Sequence, residues 1–140
     1  MASDESPPNG GTEDLGSAPV GKFLEESPLQ ILVSQRAAHT YVVLAGELDG
    51  ATAPFLVRTL VEVNDTLEGD LVLDIKQLSF IDSTGLSVFV SQQKKLFSKG
   101  KRMVIYAPTP MALRLFQITG LDDVLTIEPL RAADEDAPNQ

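Results

Sequence analysis

Cysteine is absent from this chain of 140 residues, and histidine occurs once, at His39. Without thiols there is no disulfide staple, no thiolate nucleophile and no thiol redox switch. A single imidazole with no sulfur donor leaves no zinc site of the usual kinds, and no metal or other cofactor is expected. Long hydrophobic runs are missing as well. No unbroken apolar stretch approaches 18 residues and the mean hydropathy is +0.03, which argues against a membrane span. The start has neither a basic region nor an apolar segment, so a secretory signal is not expected and the cytoplasm is the expected location. A concentrated cationic face, the requirement for holding a nucleic-acid backbone, is also wanting.

What is present suits one compact domain. Hydrophobic residues make up 43% of the chain, enough for a packed core. The formal charge of −9 is concentrated at the ends. Residues 1–28 hold Asp4, Glu5, Glu13, Asp14, Glu25 and Glu26 against Lys22, a net −5. Residues 131–140 hold Asp134, Glu135 and Asp136 against Arg131, a net −2, which leaves −2 for everything between. Both ends are rich in polar residues, and their few apolar residues follow no period of 2 or 3.6. They read as disordered, solvating tails over 1–28 and 131–140, with Phe23-Leu24 the one stretch suited to docking on the domain.

From Leu29 the pattern changes. Leu29 to Ser34 and Thr40 to Ala45 are short β-branched runs separated by Gln35 to His39, which predicts an antiparallel pair. Gly46 to Gly50 is expected to break the strand. A helix follows, capped by Thr52 or Asp49 with Pro54 in its first turn, and Phe55, Leu56, Leu60, Val63 and Leu67 form its apolar stripe. Leu71 to Ile75 reads as a central strand covered on both faces. A second helix starts at Asp82-Ser83-Thr84-Gly85. Leu86, Phe89, Val90, Leu96 and Phe97 are expected on its buried face, and Gln92, Gln93, Lys94 and Lys95 on its polar face. Met103 to Tyr106 is a fourth strand. Thr109-Pro110 opens a third helix with the stripe Met111, Leu115 and Ile118, and Gly120 follows its end; Val124 to Ile127 suits an edge strand. The order ββαβαβα, with a last β, predicts an α/β fold: a mixed sheet of four to five strands with helices packed against it.

The segment Phe80-Ile81-Asp82-Ser83-Thr84-Gly85-Leu86 carries the chemistry. It is a small, hydroxyl-rich turn at the carboxyl end of a parallel strand, where open α/β sheets place functional groups. A phosphate on Ser83 would meet unpaired N–H groups and the positive end of the helix dipole. The alternative is a plain N-cap, a task open to Asp82, Ser83 and Thr84 alike; three capping residues in a row exceed what a helix start needs. Enzyme signatures are poorly matched. The sequence I-D-S-T-G is not the G-x-S-x-G elbow of hydrolases, Asp82 has one residue too many for an aspartic protease, and no P-loop run occurs. Lys94, Lys95, Lys99, Lys101 and Arg102 gather at a helix C-terminus, where cations complement the dipole. His39 reads as a surface turn residue.

Gly46-Glu47-Leu48-Asp49, Thr52-Ala53, Leu71-Val72-Leu73-Asp74 and the run from Phe80 to Leu86 together resemble the STAS domain, in the form of a stand-alone bacterial anti-sigma factor antagonist. The likeness runs from Leu29 to Leu130. It implies a non-enzymatic regulator of sigma-dependent transcription, such as a stress response, that works by partner switching. The unmodified protein would bind an anti-sigma factor that is also a serine kinase, and so free the sigma factor. Phosphorylation of Ser83, with Thr84 the rival acceptor, would release the partner, and a serine phosphatase would reverse it. By the same resemblance Asp49, Thr52, Asp82, Ser83, Thr84, Gly85 and Leu86 belong to the partner-binding region. Two other readings fit the same residues: a STAS-type scaffold or nucleotide- or lipid-sensing module, and a hydrolase using Ser83.

Overall fold

The computed structural model describes residues 27–134. The acidic arm over 1–26, Phe23-Leu24 within it, and residues 135–140 lie outside the described residues. The elements are β1 (Leu29–Arg36), β2 (His39–Leu48), α1 (Ala53–Thr66), β3 (Leu71–Ile81), α2 (Ser83–Ser98), β4 (Met103–Tyr106), α3 (Pro110–Thr119) and β5 (Ile127–Glu128). This is the expected order.

The five strands lie in the sequential order β1-β2-β3-β4-β5, with β1 antiparallel to β2 and every other neighbour parallel. Right-handed crossovers that always step toward the same edge bring their helices to one face of a sheet. That face carries Val42, Leu44, Leu73, Ile75 and Ile105, which join Leu56, Leu60, Phe89, Leu96 and Phe116 in one buried cluster. The rings of Phe89 (α2) and Phe116 (α3) pack 6.4 Å apart at a 53° tilt. On the opposite face the buried Asp74 carboxylate is paired with Lys76 Nζ at 2.6 Å.

Several local expectations are corrected. The hairpin loop is only Ala37-Ala38, because pairing runs from Leu29↔Gly46 to Arg36↔His39. Both alanines have positive φ, 52° and 77°, the geometry whose twist matches that of the flanking strands. His39 is accordingly the first residue of β2, and its Nδ1 accepts a hydrogen bond from the Asp70 backbone N–H at 3.0 Å. Gly46 does not end β2. The strand continues to Leu48 through two register shifts, with Gly46 at φ +107° and pressed so closely on the Pro28 carbonyl that a Cβ would lie 1.9 Å from its oxygen.

On α2, Phe97 is 82% exposed, whereas Gln92 is buried and exchanges two hydrogen bonds with Asn64 of α1, at 2.7 and 3.1 Å. On α3, Ala112 and Phe116 face the sheet while Met111 and Ile118 are exposed. The last strand is Ile127–Glu128, paired with β4, and Val124 lies before it. The segment expected as a tail from Arg131 opens with a 3-10 turn, Ala132–Asp134. The Tyr106 hydroxyl accepts a hydrogen bond from the Arg131 backbone N–H at 3.0 Å and donates one to the Asp134 carboxylate.

Candidate functional site

The carboxyl ends of β2 and β3 are adjacent, with Leu48 paired to Ile81 and the Asp82 N–H bonded to the Leu48 carbonyl at 3.2 Å. Two turns therefore leave the sheet side by side, one leading into α1 and the other into α2. The first is held by Asp49 and Thr52. Asp49 Oδ1 accepts the N–H groups of Ala51 and Thr52 at 3.0 and 3.1 Å. The Thr52 hydroxyl accepts the Asp49 N–H at 2.9 Å and donates to the Glu47 carbonyl at 2.9 Å. Thr52 is only 2% exposed, so it shapes the turn from within.

The second turn is built on Asp82. Its backbone is extended (φ −113°, ψ −172°), and its Oδ1 accepts the N–H groups of Thr84 and Gly85 at 2.9 and 3.1 Å. Asp82 is thus the N-cap, and two orphan donors of the first turn, the N–H groups of Thr84 and Gly85, are satisfied without a hydroxyl. Ser83, the first helical residue, is exposed, and among the described residues no hydrogen bond engages its side chain. Its carbonyl accepts the Ser87 hydroxyl at 3.0 Å. Thr84 is exposed too, and a methyl placed on Gly50 would lie 3.9 Å from its hydroxyl, so the two turns are neighbours.

Gly85 is required by close packing. A Cβ there would come within 2.8–2.9 Å of the Leu48 and Ile81 side chains. Leu86 is buried beside it. Of the seven residues singled out from the sequence, Asp49, Asp82, Ser83 and Thr84 reach the surface of one end of the sheet. Thr52, Gly85 and Leu86 lie beneath them.

His39 stands at the opposite end of ten-residue β2, roughly 30 Å away at about 3.3 Å per residue. It cannot serve as the base for Ser83. One exposed aromatic was missed from the sequence. Phe80, paired in register with Glu47 two residues before Asp82, is 46% exposed at this same end. In the sequence Phe80 lies within the Phe80–Leu86 segment with no role of its own; its place directly before the Ile81-Asp82 turn is the signal that could have found it.

The STAS domain model matches residues 30–135, more than half of the chain. The chain belongs to the STAS domain family. This STAS domain is similar to the anti-sigma-B factor antagonist of Listeria monocytogenes, at 38% identity over 91 residues, covering 64% of this chain and 79% of the relative. The anti-sigma-B factor antagonist of Bacillus subtilis is 35% identical over 99 residues, covering 71% and 90%. Among solved structures, an anti-sigma factor antagonist from Mycobacterium paratuberculosis superposes with a TM-score of 0.68 at 27% identity, over 73% of this chain and 86% of that one. Among the described residues of this STAS domain, no helix is long and apolar enough to cross a membrane.

Proposed function

We propose that this STAS domain is an anti-sigma factor antagonist switched by phosphorylation of Ser83. The unmodified form binds an anti-sigma factor that is also a serine kinase and so releases the sigma factor in the cytoplasm. In the phosphorylation step the Ser83 Oγ attacks the γ-phosphorus of ATP on the kinase. The bond to the β-phosphate oxygen breaks, ADP leaves, and the hydroxyl proton passes to a base of the kinase. A serine phosphatase transfers the group to water and restores the hydroxyl with release of phosphate.

The observation that carries this reading is the free Ser83 hydroxyl. A capping serine would have its oxygen turned onto the backbone, whereas Asp82 does the capping and leaves Ser83 available to another protein. The curated relatives named as antagonists support the partner class. Asp49, Asp82, Ser83 and Thr84 form the contact surface in this account, with Thr52, Gly85 and Leu86 as positioning residues.

The switch is electrostatic. A phosphoryl group adds about −1.5 to −2 charges beside Asp82 and the Asp49 turn. The start of α2 tolerates an anion, so the fold survives. An interface fitted around a neutral hydroxyl does not, and a loss of about 3 kcal/mol weakens binding more than a hundredfold.

The test uses the full chain, its purified cognate kinase and ATP. Ser83→Ala is expected to bind like the wild type and take up no phosphate, and Ser83→Glu to bind at least tenfold more weakly, since a carboxylate mimics phosphate imperfectly. Phosphate on Thr84 alone, or equal binding by Ser83→Glu, overturns the assignment.

A further inference from the structure

We infer that the groove between α1 and α2 docks a second copy of this chain, with the two α2 helices antiparallel, so that Lys95 of each copy meets the Asp82-Ser83 turn of the other. The dimer stands on the surface alone; its response to phosphorylation rests on the Ser83 reading above. Because β2 and β3 are parallel, α1 and α2 leave the same end of the sheet and run side by side in one direction. The groove between them has a volume of about 220 Å³ and an apolar lining from Val57, Leu60 and Val61 of α1 and Val88 of α2. Val57 and Val61, one helical turn apart, remain 43% and 48% exposed. The reciprocal Asn64–Gln92 amide pair fixes the two helices at one level and so sets the shape of the groove.

Charge decides the occupant. A two-fold contact presses a patch against itself, so a charged patch fits only if its sign reverses across the midpoint. This one does. Its turn end carries Asp49 and Asp82, and its far end carries the exposed Lys95. Lys95 lies twelve residues along α2 from Ser83, ~18 Å at 1.5 Å per residue. The middle of that span falls at Val88-Phe89, and the same step back from Asn64 on α1 reaches Leu60-Val61. The centre is therefore apolar, and Val61 and Val88 come to rest against their own counterparts. The exposed Arg58 and Glu62 flank this centre on α1, so antiparallel copies also bring each of them towards its opposite. A parallel arrangement would instead set like ends at the same height.

The dimer covers Ser83, which makes self-association and kinase binding alternatives. A phosphoryl group on Ser83 adds about −1.5 to −2 charges opposite Lys95 of the second copy. The modification that loosens the kinase thus tightens the dimer, and the released protein closes its own docking face. The contact occurs twice about the axis, so every single substitution acts twice.

Sedimentation equilibrium of the full chain from micromolar to millimolar concentration tests this, with circular dichroism confirming the fold of each variant. The wild type is expected to dimerise reversibly and weakly, as a small interface does. Lys95→Glu and Val61→Gln are expected to weaken the dimer about tenfold, and Ser83→Glu to tighten it about fivefold. Ser83→Lys alone sets cation against cation and is expected to dissociate the dimer, whereas Ser83→Lys with Lys95→Glu restores it to within a factor of about two of wild type.

Wild type and Ser83→Glu both monomeric throughout overturn the inference. Undiminished dimerisation of Lys95→Glu, or no recovery in the charge-swapped double variant, overturns the antiparallel pairing. Weaker binding of Lys95→Glu and Val61→Gln to the purified cognate kinase, with self-association unchanged, assigns the groove to the kinase and overturns the second copy. An intact dimer whose dissociated chain takes no phosphate on Ser83 from that kinase and ATP overturns the phosphorylation switch and leaves the dimer standing.

Discussion

Asp82 and Gly85 make Ser83 usable, each by a different physical route. Asp82 supplies an oxygen to two N–H groups that would otherwise be orphaned at the start of α2. Asp82→Ala removes that acceptor and is expected to cost about 1 kcal/mol of stability, whereas Asp82→Asn keeps an oxygen in place and loses only a few tenths. Urea unfolding of the three proteins separates these outcomes, and equal losses would show that charge, not acceptance, is what the turn needs. Gly85 acts through space rather than bonding. Its missing side chain lets α2 approach the ends of β2 and β3, and Gly85→Ala forces Leu48 and Ile81 aside within the core. A loss of about 1–3 kcal/mol is expected in the same assay.

At the scale of elements, most strands and helices were legible because local pattern produced them. β-branched runs marked β1 and β2, and capping and proline signals marked the helix starts. The turn at Ser83 was legible too, as an excess of capping residues, although which of the three capped was not. That was settled by the extended backbone of Asp82, a property of how β3 ends. The faces of α2 and α3 were misread for a related reason. Gln92 is buried because Asn64, 28 residues away in sequence, offers it a complete partner, and no helical period contains that fact. On α3 the large residues Met111 and Ile118 suggested the stripe, but it is Phe116 with the small Ala112 that meets the sheet. The hairpin shows a local rule broken outright. Ala37 and Ala38 hold positive φ, a conformation that costs an L-residue roughly 1–2 kcal/mol. Ala38→Gly is therefore expected to stabilise the domain by ~1 kcal/mol, read as a rise in Tm of about 4–8 °C. An unchanged or lower Tm would mean that the loop is not strained in solution.

Across the whole molecule the two faces of the sheet have separate tasks. The helix-covered face positions Ser83, while the other is crossed by the chain at Arg131–Asp134, tied to Tyr106 of β4. There the Tyr106 hydroxyl bonds Asp134, and the Arg131 guanidinium lies over the Tyr106 ring at 5.1 Å. The hydrogen bond from Tyr106, followed by the bond and charge of Arg131, holds the Asp134 carboxyl below its ordinary range. A carboxyl with a depressed value in the folded state contributes stability that is fully present above its unfolded value and is lost as pH falls through the folded one. The Arg131–Asp134 turn is therefore expected to stay docked at neutral pH and to loosen only in acid, below the usual carboxylate range. Tyr106→Phe removes the largest cause. In that variant the Asp134 carboxyl is expected to titrate nearer its ordinary value by NMR. The part of the stability difference from wild type that depends on Asp134 should vanish once Asp134 is protonated in both proteins. A difference that stays constant from neutral pH into strong acid would assign the effect to lost packing of the hydroxyl alone, and the anchoring of this turn would owe nothing to the charge of Asp134.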